Sequence, residues 1–149
     1  MSHSSLTPWL LGLTAGGLLA VSGVLSAHGD VTPQSVNTKD LPALNGEVLY
    51  ENPYRGDPDV HAKAAEVGAS AYNQNCARCH GLGAVSGGIA PDLRLLPPDG
   101  ETDEYFHMRV NNGVVRNGVT YMPPFAETFS EEAIWAIKSF LDTVHVEDL

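Results

Sequence analysis

Residues 76–80 read CARCH, and they hold both cysteines of a 149-residue chain. A single domain of this size buries roughly two-thirds of the surface that its unfolded chain exposes, so it needs no covalent staple. A bond between cysteines three positions apart would also be strained and would close almost no loop. The pair therefore has a chemical use, and the rest of the chain is read outward from it.

C-x-x-C-H is the spacing of c-type haem attachment. Each thiol adds to one vinyl group of the porphyrin, and the next residue, His80, brings its imidazole to the iron as proximal ligand. A redox dithiol wants its C-x-x-C at the start of a helix after a strand, whereas AYNQNCARC closes a helical run. A zinc site wants a second ligand pair, and the sequence has no further Cys and no close pair of His.

Iron that only exchanges electrons takes a second axial ligand, Met or His. Past the first 27 residues the candidates are Met108, Met122, His28, His61, His107 and His145. Met122 is the expected one. It sits in YMPPF, where Pro123 and Pro124 forbid helix and hold the loop extended, so a thioether is presented at a fixed place. His107 and Met108 fall inside a predicted helix, where packing or surface placement is the ordinary role. The free ring nitrogen of His80 needs a partner to fix its orientation. In GGIAPDL the carbonyl of Pro91 is expected to supply one, with Gly87 and Gly88 allowing close passage.

Helical spacing organises the rest. Asp57 caps and Pro58 opens a first helix over about 58–75, with Val60, Ala64, Val67 and Ala71 recurring on one face. Gly68 inside it costs about 1 kcal/mol against alanine, which close approach by another helix would explain. A middle helix starts at Thr102 and stops at Asn112–Gly113. VVRNGVTY then forms either a type I′ hairpin on Asn117–Gly118 or a tight loop. Ser130 caps a last helix running to about His145, with Glu131 and Glu132 in its first turn, Phe129 stapled to Ile134, and a stripe of Ile134, Ile137, Leu141 and Val144. The segment from Gly29 to Asp57 is irregular but carries Leu41, Leu44, Val48, Leu49, Tyr50 and Tyr54, so it is expected to lie against the domain. The class is all-α, with an arm over residues 28–57 and one domain over 58–149.

The first 27 residues lack Asp, Glu, Lys and Arg, and Leu10–Leu25 is almost wholly apolar or small. That reads as an export signal cleaved after Ser26 or Ala27, with an uncleaved anchor as the alternative; the product is expected in the periplasm, without membrane insertion after cleavage. The formal net charge is −10. It repels nucleic-acid backbones and anionic lipid, and favours brief docking on basic protein patches.

Together CARCHG, APDL and YMPPF, with AEVGASAY before and WAIKSFL after, resemble the class I c-type cytochromes over about residues 58–142. The resemblance implies three main helices and loops around one covalent haem, axial ligands His80 and Met122, and a first and last helix crossing at Gly68, Tyr72, Ile137, Phe140 and Leu141. Over nearly the whole exported chain, HGDVTPQSVNT, ENPYRG, SGGIAPDLR and RNGVTYMPPF narrow the likeness to the c-550 group that takes electrons from pyrroloquinoline-quinone (PQQ) alcohol dehydrogenases. That implies such a dehydrogenase as donor and a terminal oxidase or another cytochrome as acceptor. Arg94 and Arg116 suit haem propionates or solvent equally, and Tyr121 and Trp135 suit pocket walls or helix packing.

No paired carboxylates, Ser-His-Asp set or phosphate loop is present, so the chemistry is left to the cofactor and no enzyme activity is expected. Two other functions remain open at this level: a haem protein with one open coordination site for gas or peroxide, and a subunit bound permanently to a dehydrogenase.

Overall fold

The computed structural model describes residues 32–148. The expected signal over residues 1–27, its cleavage point and His28 lie outside them. Among the described residues the chain folds into three long helices, one short helix and a two-stranded hairpin. In order these are α1 (Pro58–Asn75), α2 (Ala77–His80), α3 (Gly100–Asn112), β1 (Val114–Arg116), β2 (Val119–Met122) and α4 (Glu131–Thr143). Single 3₁₀ turns at Leu82–Ala84 and Leu93–Leu95 punctuate the loop after α2.

The first helix begins where the sequence places it, because the Asp57 carboxylate accepts from the backbone N–H groups of Asp59 and Val60 and Pro58 needs no donor partner. α3 starts earlier than expected. Asp99, not Thr102, is its cap, and the Asp99 side chain accepts from the Thr102 N–H, so Gly100 and Glu101 join the helix. α4 ends at Thr143, with Val144 as its C-cap, two residues short of the expected His145.

α1 and α4 cross at Gly68. A β-carbon there would lie 1.8 Å from the Ala136 carbonyl oxygen and 2.9 Å from the Ile137 nitrogen, so no side chain fits. This contact is the reason for a glycine in mid-helix, where it sacrifices helix propensity. Next to it the rings of Tyr72 and Phe140 lie 5.2 Å apart, tilted by 47°. Two apolar clusters flank the crossing. One gathers Tyr72, Phe106, Val110, Phe125, Phe129, Ile134, Ile137 and Leu141, which includes both residues of the expected staple. The other joins Trp135 and Ala136 of α4 to Ala64 of α1 and to Leu41 and Tyr54.

Leu41 and Tyr54 belong to the segment before α1, and both are buried. Leu44 and Leu49 pack partly against the same cluster. Val48 and Tyr50 are exposed, so only part of that segment's apolar set is used. Polar ties do the remainder: the Leu44 N–H donates to Glu132 at 2.8 Å, and the Asn52 N–H donates to Asp103 at 2.8 Å. Arg55 forks onto Asp103 at 2.7 and 2.9 Å and reaches Asp142 at 2.8 Å. Asp103 also faces the ammonium of Lys138 at 3.2 Å, and Lys138 pairs with Asp142 one turn along α4. Lys138 and Asp103 are fully buried. Two cations and two carboxylates thus neutralise one another at the junction of the N-terminal segment, α3 and α4.

Candidate haem site

α1 runs almost without a break into α2. The Cys76 N–H donates to the Tyr72 carbonyl at 2.8 Å, and the N–H groups of Cys79 and His80 donate to the Cys76 carbonyl at 3.1 and 3.0 Å. One tight turn therefore carries both thiols and the imidazole. Its exit is fixed by the Tyr72 hydroxyl, which donates to the Gly81 carbonyl at 2.8 Å. Burial pushes the Tyr72 phenol up, with the nearby Cys76 and Asp92 adding to it, so it stays a donor. Burial also pushes the Cys76 thiol up to about 12, with Cys79 adding to it. Redox C-x-x-C pairs lower a thiol instead, which speaks against a disulfide-exchange role. Among the described residues no three His, Cys, Asp or Glu side chains gather to hold a bare metal ion.

The His80 ring nitrogen Nδ1 lies 2.9 Å from the carbonyl oxygen of Pro91. A carbonyl only accepts, so Nδ1 carries the proton and the lone pair is left on Nε2. The loop that brings Pro91 there is closed by Asp92, whose carboxylate takes the Ser86 N–H at 2.9 Å and the Arg94 guanidinium at 2.8 and 3.0 Å. The Arg94 guanidinium, followed by the Ser86 N–H, holds the Asp92 carboxyl well below the usual carboxylate range.

Met122 closes β2, opposite Val114 of β1. The turn between the strands has Asn117 at φ 51° and Gly118 at φ 77°, the double positive φ of a type I′ hairpin. Gly113, at φ 66°, lets the chain pass under Pro123: a β-carbon there would sit 2.4 Å from the Met122 carbonyl oxygen. After the two prolines, the Phe125 N–H returns to the Val110 carbonyl at 2.9 Å. Met122 packs, half-buried, against the first apolar cluster, and so do Cys76, Leu93 and Leu96. Cys76 and Met122, 46 positions apart in sequence, thus pack against the same apolar cluster.

The remaining candidates are placed elsewhere. His107 bonds Glu131 at 2.9 Å and stacks on Trp135 at 5.3 Å between ring centroids. His145 Nδ1 lies 2.8 Å from the Arg94 carbonyl, and His61 faces Asp142 at 3.4 Å. Met108 is exposed on α3. Trp135 is fully buried in the second cluster, against the N-terminal segment, so helix packing accounts for it. Tyr121 is exposed on the hairpin, with the Arg116 guanidinium 5.8 Å from its ring centroid. Arg94 is engaged by Asp92. Sequence reasoning missed Asp92, read there only as part of a motif, and the set of Arg55, Asp103, Lys138 and Asp142. A signal for the latter existed. Lys138 stands four residues after Ile134 and three before Leu141, inside the apolar stripe, where an unpaired lysine is not tolerated.

Most of the large apolar side chains left exposed fall on two stretches: Leu82, Val85, Ile89 and Leu95 after CARCH, and Tyr105, Met108, Val115, Val119 and Tyr121 before and within the hairpin. Two thiols, an imidazole with its Nε2 pair free and a half-buried thioether make a donor set that fits a haem, and the apolar side chains left exposed in the stretches after CARCH and before Met122 suit the faces of a porphyrin.

Fold and donor set define a class I c-type cytochrome. Residues 63–141 match the family model described as "Cytochrome C oxidase, cbb3-type, subunit III", and the chain belongs to that family of cytochrome c domains. It is a homologue of cytochrome c550 of Pseudomonas aeruginosa, with 56% identity over 93% of this chain and 96% of the relative. It is also 42% identical to the quinohemoprotein alcohol dehydrogenase ADH-IIG of Pseudomonas putida, over 51% of this chain but only 10% of that protein. A cbb3-type cytochrome c oxidase subunit, FixP of Rhizobium meliloti, is 29% identical over 76% of this chain and 43% of its own length. No solved structure matches the chain significantly. The family carries covalently bound haem c, and Cys76 and Cys79 stand at its attachment spacing. The protein is accordingly a monohaem c-type cytochrome, an electron carrier. No described helix is long and apolar enough to cross a membrane.

Proposed function

We propose that Cys76 and Cys79 hold the haem through thioether bonds, that His80 Nε2 and the Met122 sulfur are its axial ligands, and that the protein is periplasmic, taking single electrons from a PQQ-dependent alcohol dehydrogenase and passing them toward a terminal oxidase. When bound, the haem supplies a one-electron ferric–ferrous couple. The chain's part is to hold the two ligands, exclude water with the walls around Leu93, Leu96 and Phe140, and present an edge for docking.

The observation that carries the ligand assignment is the Pro91 carbonyl 2.9 Å from His80 Nδ1, which sets the tautomer that leaves Nε2 to bind iron. Among the candidates that fall in the described residues, Met122 is supported by exclusion as well as placement. His61, His107 and His145 each face another group, and Met108 points to solvent. In Met122→Ala the haem should stay attached while the reduction potential falls, because a soft thioether favours ferrous iron; the weak far-red ferric band of sulfur ligation should vanish too. An unchanged voltammogram contradicts the assignment.

The donor is supported by the likeness to cytochrome c550 and to quinohemoprotein alcohol dehydrogenases, and the acceptor by the likeness to a cbb3-type oxidase subunit. The test is direct. Purified protein mixed with a quinoprotein alcohol dehydrogenase and its alcohol should become reduced, and more slowly as salt rises, since the net charge of −10 steers docking. Protein that dithionite reduces but the dehydrogenase leaves oxidised would rule this donor out.

A further inference from the structure

The loop from Gly81 to Leu96 contains two adjacent glycines and little buried surface, yet its polar ties converge on one place. Asp92 Oδ2 accepts from the Ser86 N–H at 2.9 Å and from Arg94 Nη2 at 2.8 Å, while Oδ1 accepts from the Arg94 N–H and Nε, both at 3.0 Å. The Arg94 carbonyl then accepts from His145 Nδ1 at 2.8 Å and from the Val146 N–H at 3.0 Å, which ties the loop to the residues beyond α4. Asp92 is bonded directly to Pro91, whose carbonyl touches His80. The Arg94 side chain, read from sequence as suiting a haem propionate or solvent, is spent inside the protein on this carboxylate.

We propose that Asp92, clamped by the Ser86 N–H and by Arg94, whose own carbonyl is held by His145 and the Val146 N–H, is a positioning residue for His80: it holds the Pro91 carbonyl on the imidazole and so sets the strength of the proximal ligand. The proposal rests on the reading of His80 as that ligand. Hydrogen bonds to a charged group are about twice as strong as neutral ones, so a carboxylate secures an exposed loop that backbone contacts alone would not. A carbonyl accepting from Nδ1–H makes the ring a stronger donor through Nε2. Loosening it weakens the support given to ferric iron, and the potential rises. A loop that merely opened the crevice to water would act the other way, because water favours the more highly charged ferric state.

The experiment uses holoprotein and two readouts, voltammetry and NMR exchange of the His80 ring N–H. Asp92→Ala should raise the potential and speed that exchange about tenfold, the loss of roughly one charge-assisted hydrogen bond. Arg94→Lys keeps the charge and loses the fork; it should move both readouts the same way by less, which separates positioning from a simple change of local charge. It also carries the test if Asp92→Ala fails to mature. A potential that falls, or no change in either readout in either variant, overturns the proposal. Absence of an iron-shifted His80 ring signal in the unmutated protein would overturn the ligand reading beneath it, and that is a different result.

Discussion

Cys76→Ala combined with Cys79→Ala should give a polypeptide with no covalent haem at all. No other cysteine exists to take over attachment, so the effect is all or none rather than graded. The two thiols sit on one turn set by the Cys76 carbonyl, and neither is engaged in a disulfide. Either single substitution leaves one sulfur in place and should leave a haem held by one bond. A denaturing gel stained for haem, with the mass of the intact chain, reads all three cases. A stained band in the double variant would show that attachment runs through some other group.

The second large effect lies away from the haem. Asp103→Ala should destabilise the protein by about 3–5 kcal/mol, because it leaves Arg55 and the fully buried Lys138 sharing a single carboxylate. That is a large share of the roughly 5–15 kcal/mol by which domains of this kind are stable. Burial works to raise the Asp103 carboxyl, but the bonds from Arg55 and the Asn52 N–H and the charge of Lys138 outweigh it and hold it below its ordinary value. The sign of the pH dependence follows. A carboxyl depressed in the folded state contributes stability above its unfolded value of about 3.9, and that contribution is lost as pH falls through the folded value. Denaturant midpoints of the two proteins should therefore differ most near neutrality and converge in acid below about pH 4. Equal midpoints at pH 7 would mean that Asp142 alone suffices for both cations.

The parts of the molecule governed by local rules were legible in the sequence. Asp57–Pro58, Ser130 with Glu131 and Glu132, and Asn117–Gly118 each announce a cap or turn through their own chemistry, and α1, the start of α4 and the hairpin follow. The start of α3 was misread because two residues there suit a cap. Asp99 wins, since its side chain can reach the Thr102 N–H, and the expected cap becomes a helical residue. The end of α4 was misread for a tertiary reason: His145 turns away to the Arg94 carbonyl, 51 positions earlier, and no pattern near residue 145 encodes that. The same limit applies to the buried charges. Arg55 meets Asp103 and Asp142 across 48 and 87 positions, and periodicity has no reach at such range. For the haem site the motif CARCH carried the reading, while Asp92 was hidden because its role lies in bonds to a loop rather than in the motif itself.

At Gly68 the backbones of α1 and α4 rest on each other with no side chain between them. Close-packed protein interiors have low compressibility and transmit strain. The turn that carries Cys76, Cys79 and His80 continues directly from α1, so the haem-attachment motif is mounted on the helix whose backbone rests on α4 at Gly68, and a stiff mount of that kind suits an electron carrier, whose cofactor must change charge with little rearrangement.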